Sequence, residues 1–340
     1  MTMRILIVAP APTGSNRGNR ITADRWKLLL QALGHQVAVK MQFEPADKAD
    51  CLIALHARHS YQTVRDYRET HAACPIVVCL TGTDLHVDFQ PDQQNSRLAE
   101  SRENYTAVSK SLEIANAIVG LEPRGLSKLP VPLRDKSHVI LQSASPFLPE
   151  QPKPVNRFLI SVLGHLRPIK DPLRTAIAAR SLPQQSTIFV EHMGAALDDS
   201  MRCLAEREMA SNGRYTWLGN LPHPEAMQRL ASSHLMVLSS FHEGAPSVIS
   251  EAIANRIPII ASRIDATIGL LGASYPGFFE AGNTDELAKL LSAAEKDPAF
   301  LEELNQWTEP LIAHFKPNEE KEAWRRLLDQ LSVPQNADDS

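Results

Sequence analysis

The sequence predicts an α/β protein built on parallel sheets, and three observations carry that expectation. The first is the stretch Leu235–Ser262, LMVLSSFHEGAPSVISEAIANRIPIIAS. Leu235–Leu238 is a short apolar run with the length of a buried strand, and Ile259–Ser262 is a second. Between them lie a polar loop, Pro246 at a position suited to a first helical turn, and a helical pattern to about Asn255 that Pro258 closes off. Strand, loop, helix and strand in that order make the crossover unit of a parallel sheet. The second observation is the same alternation at the start of the chain. Arg4–Ala9 reads as a strand, a loop with Gly14 and Gly18 follows, and a helix from about Thr22 carries Trp26, Leu29, Leu30 and Leu33 before Gly34-His35 ends it and Val37–Val39 begins a new strand. The third is length: 340 residues suit two domains of ordinary size.

The remaining elements fall into line. Asp50–Leu55 is a strand ending in His56-Ala57-Arg58-His59-Ser60, and Pro75–Leu80 is another, ending in Thr81-Gly82-Thr83-Asp84. Tyr105–Leu121 supplies a helix and the short strand Ala117–Leu121, and Val139–Leu141 is the last strand of this half, ending in Gln142-Ser143-Ala144. Pro149, Pro152 and Pro154 then read as a stiff linker, which places the boundary at about residue 154. In the second half, strands are expected at Phe158–Leu163, Ile188–Glu191 and Arg214–Gly219, with helices at Ser200–Ser211 and from His223. Past Ser262 come a glycine-rich segment, Gly269–Gly277, and helices at Thr284–Leu291, Leu301–Phe315 and Asn318–Leu331. Residues 333–340 read as a disordered tail.

Composition excludes several classes. A net charge of −4 gives no electrostatic case for nucleic acid or an anionic membrane. Cys51, Cys74, Cys79 and Cys203 lack metal or redox spacing and read as reduced, buried small hydrophobes. No apolar run reaches membrane-spanning length, and the apolar part of MTMRILIVAPAP is too short for a signal peptide. A cytoplasmic protein is expected.

Parallel sheets bind ligands at the carboxyl ends of their strands. The loop after Leu238 delivers Gly244 and a helix N-terminus to that edge, where free N–H groups and the helix dipole favour a phosphate. Glu243 and Glu251 bracket the point with seven residues between them. From the residues alone, they are either site carboxylates or ordinary loop and helix carboxylates. The loop after Leu163, Gly164-His165-Leu166-Arg167-Pro168-Ile169-Lys170-Asp171, puts cations at another strand end. Gly14 and Gly18 do not make the dinucleotide fingerprint G-x-G-x-x-G.

The E-x7-E pair, with Gly-x-Pro just past its first Glu, resembles the nucleotide-sugar site of GT-B glycosyltransferases of the glycogen-synthase-like group. The resemblance implies a GT-B fold, two Rossmann-like domains facing each other across a cleft. Residues 1–154 would form the acceptor side, 155–316 the nucleotide-sugar side, and 317–332 a C-terminal helix crossing back to the first domain. It further implies that Glu251 holds the ribose hydroxyls and that Glu243 lies at the reacting centre. Gly244, Ala245, Pro246 and Ser247 would line the donor, and Leu218, in the turn Trp217–Leu221, would lie under the base. Lys170 matches the family's diphosphate-binding Gly-Arg-Leu-x-x-x-Lys element, with His165 at the family's Arg position and Arg167 two residues on. Fixed cations there would stabilise the charge that grows on a departing diphosphate. Thr81 departs from the group's His-Gly-x-Asp, and Gln142-Ser143-Ala144 from its usual Asn-Gly turn. Asp84 reads either as a site residue or as an N-cap or turn residue, and Trp217 as core.

A narrower likeness absorbs those departures. MRILIVAPAPTGSNRGNRITADRW, LIALHARHS, LTGTDL, VILQSA, GHLRPIKDP and SSFHEGAPSVISEAI together resemble the selenosugar synthases of selenoneine biosynthesis. That resemblance implies transfer of a sugar from a UDP-sugar, such as UDP-N-acetylglucosamine, to selenium of selenophosphate, with release of UDP and phosphate. Arg17, Asn19, Arg20, Arg58, Thr81 and Thr83 would hold the anionic acceptor. No metal or other cofactor is implied, and Asp198-Asp199 reads as a turn pair. Two other functions stand beside this one. A conventional transferase to a hydroxyl acceptor would favour an apolar or aromatic acceptor face, which this polar, arginine-bearing first domain lacks. A non-catalytic nucleotide-sugar-binding module would not need Lys170, Glu243 and Glu251 together.

Overall fold

A computed structural model describes residues 2–12, 14, 18–90 and 98–332. The chain divides into two compact units, one of residues 1–141 with 318–340 and one of residues 142–317. Each is an α/β unit on a six-stranded sheet.

In the first unit the strands are β1 (Arg4–Val8), β2 (Gln36–Lys40), β3 (Cys51–Leu55), β4 (Ile76–Leu80), β5 (Ala117–Gly120) and β6 (Ser137–Val139), in the order β2-β1-β3-β4-β5-β6. Every neighbouring pair is parallel. β3 and β4 are buried at every position, which is why CLIAL and IVVCL show no polar alternation. The order reverses between β1 and β3, so the loops leaving these two strands open side by side, at the place where such sheets take ligands.

The helix after β1 is Gly18–Ala32, one turn longer at its start than the expected onset near Thr22. Asn19 and Arg20 are therefore first-turn helical residues rather than loop residues. The stem of Arg20 is buried, and its Nε donates to Asp24 Oδ2 at 2.8 Å across one turn, an i,i+4 pair that favours the helical conformation.

The last helix, Pro317–Ser332, belongs from Asn318 onward to the first unit. It packs on Gly18–Ala32 through Trp324, whose ring meets Trp26 edge-on at 4.8 Å, both fully buried. Glu320, also buried, accepts from Trp26 Nε1 at 2.7 Å and Arg25 NH1 at 2.9 Å. The expected tail, 333–340, lies outside the described residues.

The second unit carries β7 (Phe158–Leu163), β8 (Ile188–Met193), β9 (Tyr215–Trp217), β10 (Leu235–Leu238), β11 (Ile259–Ser262) and β12 (Phe278–Phe279), in the order β12-β11-β10-β7-β8-β9. All pairs are again parallel, and the order now reverses between β7 and β10. The segment Asp265–Leu271, read from sequence as leading into glycine-rich coil, is helical. Thr267 starts it, donating from Oγ1 to Ser262 O at 2.6 Å and accepting from Ile264 N at 3.2 Å.

The unit boundary corrects the sequence expectation. It falls at residues 141/142, and the proline-rich stretch read as a linker lies within the second unit. Ala144 N donates to Phe315 O at 3.0 Å, Phe147 N to Asn255 Oδ1 at 2.7 Å and Glu150 N to Gln228 Oε1 at 3.0 Å, while Gln151 O accepts from Ser232 Oγ at 3.0 Å. A segment whose backbone groups find partners along its length is part of the structure it lies on. The cysteines meet the expectation of burial only in part. Cys51 and Cys79 are buried, Cys74 is half-buried and Cys203 is exposed on the helix Asp199–Ser211. No helix among the described residues is long and apolar enough to cross a membrane.

Candidate functional site

The loop after β7 is seated by its neighbours before it presents any side chain. Gly194, after β8, approaches so closely that a Cβ there would overlap the carbonyl of Gly164. His192 lies buried beneath, with Nε2 2.9 Å from Gly164 O and Nδ1 3.1 Å from Tyr215 OH. Burial pushes its pKa down to about 4. The ring is thus neutral near pH 7, its Nε2–H donating to the carbonyl and Tyr215 donating to Nδ1. His165 Nδ1 accepts from Ala195 N at 3.0 Å, so this imidazole is partly spent on joining the β7 and β8 loops. Arg167 is exposed on the same loop.

The turn Pro168–Lys170 follows, ending at Asp171 in the left-handed region, φ 44°. It is tied to the loop after β10: Phe241 N donates to Ile169 O at 2.9 Å and Ser239 Oγ to Asp171 O at 2.9 Å. These ties bring together residues 73 apart in sequence: Lys170 Nζ lies 2.7 Å from Glu243 Oε1, and Ser240 Oγ donates to the same oxygen at 2.6 Å. The pair sits where the sheet order reverses. Both side chains are largely covered, Glu243 to 11% exposure.

Gly244, Ala245 and Pro246 lead into the helix Ser247–Ala254. Pro246 is its N-cap rather than its first helical residue, because its ψ of 111° is still extended. A proline cannot cap with a side chain, so the helix begins with its positive end uncapped by any side chain. Glu251 lies one turn in, with Oε1 3.1 Å from Nε2 of His223. Trp217 packs against Leu166, Met201 and Ala205 and donates from Nε1 to Gly194 O at 2.7 Å, a core role. Leu218 N donates to His192 O at 2.8 Å at the end of β9. Asp198 caps the helix Asp199–Ser211, accepting from Met201 N at 2.8 Å.

The first unit gathers a second polar cluster, at the ends of β3 and β4. Asp84, fully buried, opens a π-helical turn, Asp84–Asp88, a form often found at functional sites. Its carboxylate accepts from Ala57 N at 2.9 Å, Thr81 N at 3.0 Å, Gly82 N at 2.8 Å and Leu85 N at 3.1 Å, so it clamps the two loops together. His56, held at φ 69°, reaches Thr83 Oγ1 with Nε2 at 3.0 Å. Arg58 Nε lies 3.2 Å from Asp88 Oδ2, and burial raises the Asp88 carboxyl above its usual range against the pull of Arg58. Thr81 Oγ1 is buried and has no hydrogen-bond partner among the described residues. Arg58, Thr81 and Thr83 are thus neighbours on adjoining loops. Asn19 and Arg20 stand on the helix after β1, and Arg17 lies outside the described residues. Sequence reasoning passed over His56 and Asp88. The only signal for them was their place, just after one strand end and four residues beyond Asp84.

The comparisons with known proteins bear on the fold. The family described as glycosyl transferases group 1 matches residues 146–310. The chain has a GT-B fold, and its second unit is similar to the group 1 glycosyl transferases over the matched residues. A putative teichuronic acid biosynthesis glycosyltransferase, TuaC of Bacillus subtilis, is 27% identical over 86 residues, 25% of this chain and 22% of that protein. Anabaena HepE in complex with UDP and glucose is 15% identical, covering 96% of this chain and 100% of that one at a TM-score of 0.74. Sucrose-phosphate synthase from Thermosynechococcus elongatus is also 15% identical, covering 96% and 98% at 0.75. At such identities the likeness is one of fold.

The His223–Glu251 pair carries a pH prediction. The hydrogen bond to Glu251 raises the His223 pKa above its ordinary value, against the opposing effect of burial. A raised histidine pKa means that the charged contact is fully present below about pH 6.5 and is lost as pH rises through the raised value. In a Glu251→Gln protein the His223 titration, followed by its imidazole NMR shifts, is expected to move to lower pH. An unmoved titration would show that the carboxylate does not hold the ring in solution.

Proposed function

We propose that this chain is a UDP-sugar-dependent glycosyltransferase whose acceptor is selenophosphate: selenium displaces UDP from the sugar C1 and water cleaves the Se–P bond, giving a 1-selenosugar, UDP and phosphate. The observation that carries the transferase part is the Lys170–Glu243 pair, placed at the reversal of the sheet order beside an uncapped helix end. A cation and a positive helix end at one strand edge suit a diphosphate, and Lys170 offsets the charge that grows on UDP as the C1–O bond breaks. Glu243 stands beside it for the sugar, Glu251 one turn on for the ribose. His165, Arg167, Leu218 and the segment Gly244–Ser247 complete the donor side. HepE bound to UDP and glucose, on the same fold, is consistent with a UDP-sugar donor.

The acceptor part rests on the first unit's cluster and on the sequence likeness to selenosugar synthases. Selenium is a soft, strong nucleophile, so the site needs less of a general base than an alcohol acceptor does. It does need to hold an anion, and Arg58, Thr81 and Thr83, with Arg17, Asn19 and Arg20, supply cations and hydroxyls. Arg20→Ala and Arg58→Ala proteins are expected to lose turnover while binding UDP normally. Both guanidiniums also face a carboxylate, Asp24 for Arg20 and Asp88 for Arg58, so retained UDP binding is the control in each variant.

The deciding experiment is UDP release from UDP-N-acetylglucosamine with and without selenophosphate, with mass spectrometry of the product. Selenophosphate-dependent release and a product bearing the selenium isotope pattern are expected. Release that ignores selenophosphate would instead favour hydrolysis or a hydroxyl acceptor.

A further inference from the structure

His223 is the first residue of the helix His223–Ala231 and stands outside every motif that marks the site. Its imidazole is half-exposed, yet it is fixed from two sides. Nε2 meets Glu251 Oε1 at 3.1 Å, and the ring of Phe147 stands roughly perpendicular to it, centroids 6.1 Å apart. Phe147 is itself pinned to the helix that carries Glu251. Its N–H donates to Asn255 Oδ1 at 2.7 Å, and Asn255 Nδ2 donates to Glu251 O at 2.8 Å. Glu251 is 15% exposed, so little water is at hand to orient its carboxylate.

We propose that His223 is a positioning residue for Glu251, aligning its carboxylate to accept from the vicinal hydroxyls of a nucleotide ribose. The inference rests on the reading of Glu251 as the ribose-binding residue. A carboxylate has about four acceptor positions, and a donor fixed on one oxygen leaves the rest at a set angle. Two vicinal hydroxyls then meet a group already in place, and the cost of ordering it on binding is removed. The positive shift of the His223 pKa agrees, since the charged ring is the stronger donor.

The test is calorimetric titration of the full chain with UDP. Glu251→Gln should weaken binding, and His223→Ala should weaken it by about tenfold, the scale of a hydrogen bond to a charged group. His223→Gln, whose amide nitrogen can reach the same oxygen, should restore most of the affinity. The double variant should bind no worse than Glu251→Gln alone, because the histidine acts through the carboxylate. With 2′,3′-dideoxyuridine diphosphate the His223→Ala penalty should vanish, whereas a penalty from general damage to the unit would persist and would overturn the inference. Unchanged or tighter UDP binding in His223→Ala, with Glu251→Gln weakened, overturns the role of His223 and leaves the site standing. Unchanged binding in Glu251→Gln removes Glu251 from the nucleotide and overturns both.

Discussion

Replacing Lys170 by alanine is expected to lower kcat about a hundredfold, the scale seen when one fixed charge-stabilising donor is removed from a reacting centre. The expectation follows from where the lysine is held. Its loop is tied to the β10 loop by Phe241 N to Ile169 O and Ser239 Oγ to Asp171 O, so the ammonium is pre-placed beside Glu243 rather than recruited. If Lys170 acts mainly on the departing diphosphate, kcat and kcat/KM fall together; a rise in KM alone would mean that it only grips the ground state. In the variant Ser240 Oγ still donates to Glu243 Oε1. An unchanged unfolding transition in Lys170→Ala separates lost catalysis from local disorder. Full activity in Lys170→Ala would remove the pair from the mechanism.

Trp324→Ala is expected to destabilise the first unit by about 3–5 kcal/mol, as truncation of a buried large aromatic does. The indole is fully buried against Trp26, and the same helix inserts the buried Glu320 carboxylate under Trp26 Nε1 and Arg25. Glu320→Gln should cost less, because an amide oxygen still accepts from Trp26 while only the charge opposite Arg25 is lost. Urea unfolding followed by amide exchange of the Gly18–Ala32 helix reads this unit apart from the other. Near-native exchange protection of that helix in Trp324→Ala would contradict the packing described here.

Much of the fold was legible because its central strands are covered on both faces. Runs such as CLIAL and IVVCL announce themselves without any periodicity. The start of the Gly18–Ala32 helix was not legible, since Gly18 and Asn19 have poor intrinsic helix propensity and the compensation is the Arg20–Asp24 pair one turn on. The proline-rich stretch misled for a related reason. Proline stiffness marks linkers, but the groups that hold this stretch's backbone lie 78 residues or more away in sequence. Lys170, Glu243 and Glu251 were picked out by resemblance, through the E-x7-E spacing and the Gly-Arg-Leu-x-x-x-Lys element, since the residues alone left them as ordinary side chains equally well. That Lys170 and Glu243 touch depends on β7 and β10 being neighbours, which the chain order conceals. His223 and His56 were missed on the same ground. Each acts across 27 or 28 residues, on a partner in the next loop or helix.

The buried Trp26–Glu320 hydrogen bond spans 294 residues of sequence, with the whole second unit encoded between its two ends. At synthesis rates of roughly 5–20 residues per second, the helix Gly18–Ala32 leaves the ribosome roughly 15–60 s before the helix that covers it. During that interval Trp26 and its neighbours face solvent, while the second unit can fold from contiguous chain. The nascent protein is therefore most open to chaperones and proteases at the face around Trp26, and that exposure ends only when the last helix is made.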